Sequence, residues 1–450
     1  MKNHYTIIRK SILILIGLLL AIMFFRCQQE PMDFNQDPID LKVNSGIDLK
    51  AEKDGLTKAV SLKSTLQGGA SYEIALPNFW NFIPDGQRIV LVYAHGYVDP
   101  GELIELPSDT ILDGMGGTVA IKDIILEKAA YAATSYSDNG LVVLDAIKDI
   151  KELKIAIDEF FDDPENPAEP KPYDAIFLVG PSEGGLITVL TIEQNPGMFD
   201  GAIATCCPIG NFYKQLQYYG DAHVLFKYFF GPSINGINLG SPKGVSKRTM
   251  EAWRKNGPLY SAIKQELEDD YQYNGGNKIR QFLNCSRVGG TSIGDHVDKS
   301  NHSAVVTAIL EVLRFPIMAT NDAIVRLEGS PFNNKNPKII YEGSDNDRKL
   351  NLTVERIKRS EWEQSAQNVA NFYETEGALL TPLVTMHTEF DHVSLFWHQT
   401  YYANKVGAIW PDSFLYPIKI TGRYGHCNFT KDEILGAING LISLIQQSQI

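Results

Sequence analysis

The feature that most constrains this chain is a rhythm of nearly unbroken apolar runs alternating with helical patterns. "RIVLVYAHG" (Arg88–Gly96), "AIFLVG" (Ala175–Gly180) and "DGAIATCC" (Asp200–Cys207) read as strands covered on both faces, and "SYEIALP" and "YAATSY" as shorter ones. "GTVAIKDIILEKA" carries helical spacing through Ile121, Ile124, Ile125 and Lys128. "LVVLDAIKDIKELKIAIDEFF" places Leu144, Ile147, Ile150, Leu153, Ile157 and Phe160 at steps of three or four, on one helix face. "DDPENPAEPKP" stops that helix, since proline lacks the N–H and clashes with the preceding turn. Strands alternating with helices predict an α/β fold, a mostly parallel sheet covered by helices on both faces.

After Cys207 the rhythm fades into prolines, Asn/Gly turns and helical patches. Strand texture resumes at "LLTPLVTMHT", followed by a helix in "SLFWHQTYYANKVG", the strand "YPIKITG" and a last helix, "TKDEILGAINGLISLIQQ". Thr430 and Glu433, three apart, form a capping box for that helix. The chain therefore divides into a core of residues 70–207 and 381–450, interrupted by a mainly helical insertion, 208–380, large enough to be a domain.

Residues 1–27 read as a targeting signal. Lys2, Arg9 and Lys10 precede the apolar run Ser11–Phe25, which suits a signal peptide and is short for a bilayer span. Cys27 follows at once, then the polar stretch 28–69, a tether and lead-in. An apolar run ending at a cysteine resembles a bacterial lipoprotein signal, which implies lipidation of Cys27 and a membrane anchor. Plain secretion, a periplasmic location and an uncleaved anchor are the alternatives, and all put the body outside the cytoplasm. The net charge is −13 with no Lys/Arg-rich stripe, so nucleic acid is not an expected partner.

"GPSEG" (Gly180–Gly184) fits G-x-S-x-G, and it sits where that motif requires, after an apolar strand and before a helix. Ser182 at so sharp a turn would hold strained dihedrals, and side chains at Gly180 or Gly184 would collide. The bland alternative is a Gly-rich loop whose serine caps the helix. A serine nucleophile also needs a base. "GRYGHCNFTKDE" offers His426 between the last strand and the last helix, and "PLVTMHTEFDHVSLFWH" offers Asp391 after a strand, with Glu389 as its rival.

With those residues in place, the chain over about 70–450 resembles the α/β-hydrolase superfamily, in particular bacterial esterase-type members with a large cap. The resemblance implies a triad of Ser182, Asp391 and His426, with the acid fixing the imidazole and the base serving the serine. It implies an oxyanion hole from the backbone N–H groups of Glu183 and Tyr97, the latter in "HGY" at the end of an early strand. It makes His95 a structural residue. No cofactor or metal is expected. The implied substrate is a small-molecule or glycan-linked carboxylic ester. A peptidase or amidase is the alternative on the same fold, and a surface binding protein without turnover the alternative from another class.

Other features admit plainer readings. His387, Glu389, Asp391 and His392 fit no zinc spacing. Cys427 beside His426 would bond Cys206 or Cys207, or all would stay buried thiols; Pro181 excludes a bond to the nucleophile's own neighbour. The eight aromatics of Asn211–Gly231 would line a pocket over Ser182 or form the core of the cap. Residues 329–351 are a polar loop without EF-hand spacing, read as a solvated turn.

Overall fold

The computed structural model describes residues 60–113, 117–166, 170–232, 234, 238–254, 256–288, 298, 300–330, 332–358, 362–410 and 414–448. The targeting segment, Cys27 and most of the 28–69 stretch lie outside the described residues. In chain order the first half contributes β1 (Val60–Thr65), β2 (Ser71–Leu76), β3 (Ile89–Tyr93), β4 (Thr110–Leu112), β5 (Thr118–Ala120), α1 (Ile121–Leu126), β6 (Ala130–Thr134), α2 (Val143–Asp162), β7 (Ala175–Pro181), α3 (Glu183–Gln194) and β8 (Gly201–Thr205). A run of helices follows: α4 (Phe212–Phe230), α5 (Lys247–Trp253), α6 (Pro258–Asn274), α7 (Asn277–Ser286), α8 (His302–Met318), α9 (Thr320–Arg326), α10 (Asp347–Thr353) and α11 (Trp362–Asn368). The chain closes with β9 (Leu383–Phe390), α12 (Trp397–Ile409), β10 (Leu415–Tyr424) and α13 (Lys431–Ser448).

Eight strands form one sheet in the order β1-β2-β6-β3-β7-β8-β9-β10. β1 and β2 pair antiparallel, as do β2 and β6; every other neighbour is parallel. The central strands carry the unbroken apolar runs because both of their faces are covered. Val90, Val92 and Leu178 pack with the apolar stripe of α2 on one side, while Leu91, Phe177 and Ile203 pack with α1 and α13 on the other. Each such side chain, fully buried, stabilises by about 1.5–3 kcal/mol.

Two expectations change. β1 falls inside the stretch read as a lead-in, so the sheet begins ten residues before position 70. It was hidden because "VSLKST" is an edge strand with Lys63 and Thr65 exposed, paired only with β2. The patch at 118–128 is also shorter as a helix than its spacing suggested. Thr118–Ala120 instead pairs with Thr110–Leu112 in a separate two-stranded sheet.

Helices α4 to α8 and α10 share their own apolar core, built on Phe226, Phe230, Phe282, Ile309 and Leu313. This layer is fastened to the sheet layer in several places, two of them around α9. Phe212, Ala323, Leu327 and Tyr373 join the core beneath it. Arg326 on α9 binds Asp322 at 2.9 Å, Asp145 at 2.9 Å and Asp138 at 2.6 Å, the last two on the sheet side. The capping box forms: Glu433 Oε2 accepts from Thr430 N at 2.8 Å, and Thr430 Oγ1 accepts from Glu433 N at 3.4 Å.

Candidate active site

Ser182 occupies the turn between β7 and α3 with φ 53° and ψ −122°, a conformation a serine adopts only under constraint. The constraint comes from its neighbours. A Cβ at Gly180 would overlap the Gly184 carbonyl, and one at Gly184 would overlap the Ala94 carbonyl at the end of β3. Gly185, which sequence reading passed over, is needed as well: its Cβ would stand 2.5 Å from that of Cys207. The turn is pinned by Ser182 N–H donating to Thr205 O at 2.8 Å. The hydroxyl caps no amide of α3. It points instead to His426, with Oγ 2.9 Å from Nε2. Ser182 thus stands at the N-cap position of α3 without its side chain capping the helix.

His426 follows β10, and its Nδ1 lies 2.8 Å from Asp391 Oδ2. Asp391 follows β9 and is completely buried. Its Oδ1 accepts from the N–H groups of Val393 (2.8 Å) and Ser394 (3.0 Å), so one oxygen holds the turn and the other faces the imidazole. Burial opposes its charge, but the His426 charge and hydrogen bonds from His387 and His426 hold the carboxyl well below the usual carboxylate range. Burial likewise works against an imidazolium at His426, yet the Asp391 carboxylate and its hydrogen bond, with Glu311 beyond, carry the pKa above the ordinary histidine value. Serine, acid and base thus follow in that chain order, each at the C-terminal end of a strand, with the serine on a strained strand-to-helix turn. The chain has the α/β-hydrolase fold.

Within this fold the remaining carboxylate and histidines are accounted for. Glu389 is turned away from His426, accepting from Lys419 Nζ at 2.6 Å and Gly422 N at 2.7 Å. His387 Nε2 sits 2.7 Å from Ser394 O and 3.4 Å from Asp391 Oδ2, a neighbour of the acid that sequence reading had assigned to no role. His392 pairs with Glu311 of α8. Of the four residues weighed as a metal cluster, His387 and Asp391 are neighbours, while Glu389 and His392 meet partners elsewhere. His95 Nδ1 lies 2.8 Å from Gly96 O and its ring stacks on Tyr136 at 3.9 Å, packing the loop after β3 against the loop after β6. Its partners are structural, and none is Ser182.

Cys427, next to His426, is disulfide-bonded to Cys206 at the end of β8, with Cα atoms 5.3 Å apart. Cys207 and Cys285 are buried free thiols. The bond ties the loop that carries His426 to the strand beside β7.

Two cavities meet at Ser182. A small one of about 110 Å³ lies under α4, α8 and α9, with Phe212, Leu216, Tyr219, Phe315 and Phe332 among its walls. A larger one of about 500 Å³ lies on the His426 side, between the loop Leu103–Thr110 and Phe429. Glu183 lines the first cavity and Tyr97 lines both. The aromatic run of α4 thus serves both expected roles. Phe212 and Tyr219 face the cavity, while Phe226 and Phe230 fill the core of the cap. The walls given by α8 and α9 were invisible in sequence, because the apolar face of a cap helix reads the same whether it meets a partner or a void.

No family model and no curated protein matches the sequence. Among solved structures, the chain is similar to an esterase from Aspergillus oryzae, with 12% identity, a TM-score of 0.44 and 82% of this chain and 73% of that one covered. It is similar to an esterase from Pyrococcus furiosus at 10% identity and a TM-score of 0.37, over 88% of this chain and 97% of that one. It is also similar to an acylaminoacyl peptidase from Pyrococcus horikoshii at 10% identity and a TM-score of 0.37, over 85% and 40%.

Proposed function

We propose that the protein is a serine hydrolase that cleaves carboxylic esters through an acyl-enzyme. The observation that carries this reading is the unbroken chain Ser182 Oγ–His426 Nε2 (2.9 Å) and His426 Nδ1–Asp391 Oδ2 (2.8 Å). As Ser182 Oγ bonds to the ester carbonyl carbon, its proton passes to His426 Nε2. The carbonyl oxygen, now negative, accepts from the N–H groups of Glu183 and Tyr97. The C–O bond to the alcohol breaks, and the alcohol leaves with the proton from His426. Water then attacks the acyl carbon and gives a proton to His426. The bond to Ser182 Oγ breaks, Oγ recovers its proton, and the carboxylic acid departs. Asp391 keeps Nδ1 protonated and stabilises the imidazolium formed twice in the cycle.

The apolar walls of the small cavity support an ester with an uncharged acyl group. The Cys206–Cys427 disulfide supports a body that works in an oxidising compartment, in keeping with the leader and with lipidation at Cys27. A fluorophosphonate probe tests the reading: the wild type should be labelled and Ser182→Ala should not. An unlabelled wild type would overturn it. Matched ester and amide substrates with one acyl group separate esterase from peptidase, the ester reading requiring the higher kcat/KM on the ester.

A further inference from the structure

The chemistry decides on which side of Ser182 each half of an ester lies. The leaving oxygen must reach His426 Nε2 to take its proton, so the chain of the alcohol extends on the His426 side. The carbonyl oxygen faces the N–H groups of Glu183 and Tyr97, and the acyl chain takes the direction that remains. Both cavities touch Ser182, but of the two His426 lines only the larger, and Glu183 lines only the small one.

The cavities differ in size. The small one holds about 110 Å³. A cavity of about 150 Å³ accepts benzene, so the small one takes only a few carbon atoms. The larger holds about 500 Å³, within the range of roughly 300–1,000 Å³ that buries whole small molecules. Its walls include Leu106, Pro107, Ile111, Val179 and Ile434, all apolar and only half-buried. Val179 is telling. It lies on β7, with β3 and β8 paired on either side, where a side chain covered on both faces of the sheet would be fully buried. The one cation among the described walls, Arg314, donates from Nε to the Asp99 carboxylate at 3.0 Å, and Asp109 accepts from the Tyr93 hydroxyl at 2.9 Å. The apolar surface is thus what the larger cavity offers a ligand.

We propose that the larger cavity is the subsite for the alcohol and the small one the subsite for the acyl group, so that the protein selects esters of a short acyl group with a bulky apolar alcohol. The inference rests on the ester-hydrolase reading above. Selection follows from fit, since one methylene more or less in an apolar pocket changes kcat/KM by about 10- to 200-fold.

The test compares two isomers, octyl acetate and ethyl octanoate. They share one formula and both release a primary alcohol, so they differ in which side of the carbonyl carries the long chain. kcat/KM should favour octyl acetate by about tenfold or more. A smaller ratio, or a preference for ethyl octanoate, overturns the proposal. Ile434→Trp narrows the larger cavity and should lower the octyl acetate to ethyl acetate ratio by about fivefold or more. Ala319→Leu narrows the small cavity; it should leave that ratio alone and lower the ethyl butanoate to ethyl acetate ratio instead. Exchanged effects, or none in either variant, overturn the proposal. If a variant does not fold, the wild-type comparison still decides. A wild type that the fluorophosphonate does not label overturns the hydrolase reading, whereas a labelled wild type that cleaves neither isomer overturns only the subsites, so the two failures are distinguishable.

Discussion

His426 Nδ1 lies 2.8 Å from Asp391 Oδ2, although 35 residues and the whole of α12 and β10 separate them. The pairing is possible because β9 and β10 are parallel neighbours, so the loops after both emerge at one end of the sheet. Asp391→Asn should therefore lower kcat by about 10⁴-fold, through loss of the correct imidazole tautomer. Glu389→Gln, which touches only Lys419 and Gly422, should stay within a few-fold of wild type. Near-full activity in Asp391→Asn would show that the acid lies elsewhere.

The pH profile follows from the same pair. The base must be neutral, and its pKa is raised above the free value of about 6.5. kcat/KM should fall as the pH drops through a value above 6.5, with a slope of one proton. In Asp391→Asn the principal raising influence is gone, so the residual activity should show its acid limb at lower pH. An unmoved limb would mean that His426 does not control it.

Glu183 makes the stability of the fold depend on pH. Its carboxyl has a raised pKa in the folded state and an ordinary one, about 4.3, in the unfolded chain. The unfolded state therefore loses its proton first, and stability that is full below about 4.3 declines as the pH rises towards the folded value. Glu183→Gln should lose less stability than wild type between pH 5 and pH 9. Thermal melts at both pH values would reveal the difference, and parallel losses would contradict it.

Glycines separate by what surrounds them. Gly184→Ala places a Cβ in the Ala94 carbonyl, and the elbow has to distort; little soluble protein, or loss of most activity, is expected. Gly436 and Gly440 on α13 face open space, and alanine there should stabilise by about 0.5–1 kcal/mol each. Chemical denaturation midpoints of the three variants would check the contrast.

Arg326 holds three carboxylates and is only 16% exposed. Arg326→Ala leaves the half-buried Asp322 without its cation, holding only the Leu141 N–H, and should cost about 1–3 kcal/mol, reduced from a fully buried pair by solvent on Asp138. Because two of its partners lie on the sheet side, protease sensitivity should rise first in the cap helices.

The strands at the heart of the sheet and the elbow were readable because their residues obey local rules: both-face burial makes continuous apolar runs, and a sharp strand-to-helix turn demands glycine at Gly180 and Gly184. β1 was not readable, since an edge strand with polar residues outward has neither signature. The disulfide partner was undecidable for a physical reason. Ile203 faces the α1 and α13 layer, so strict alternation along β8 would bring Cys207 to that side. Cys206 has φ 45°, which breaks the alternation and puts Cys206 there instead, leaving Cys207 among the residues beneath α3. The walls of the small cavity depend on how the cap helices settle over Ser182, which no local pattern encodes.

The Cys206–Cys427 bond spans 221 residues, and every cap helix lies between its ends. Ser182 precedes the first cysteine, and His426 stands beside the second. A protease that cuts once anywhere in the cap thus yields two polypeptides that remain a single molecule, with the serine on one fragment and both of its partners on the other. On a non-reducing gel such nicked protein would keep its full mass, and only a reductant would part the serine from its base.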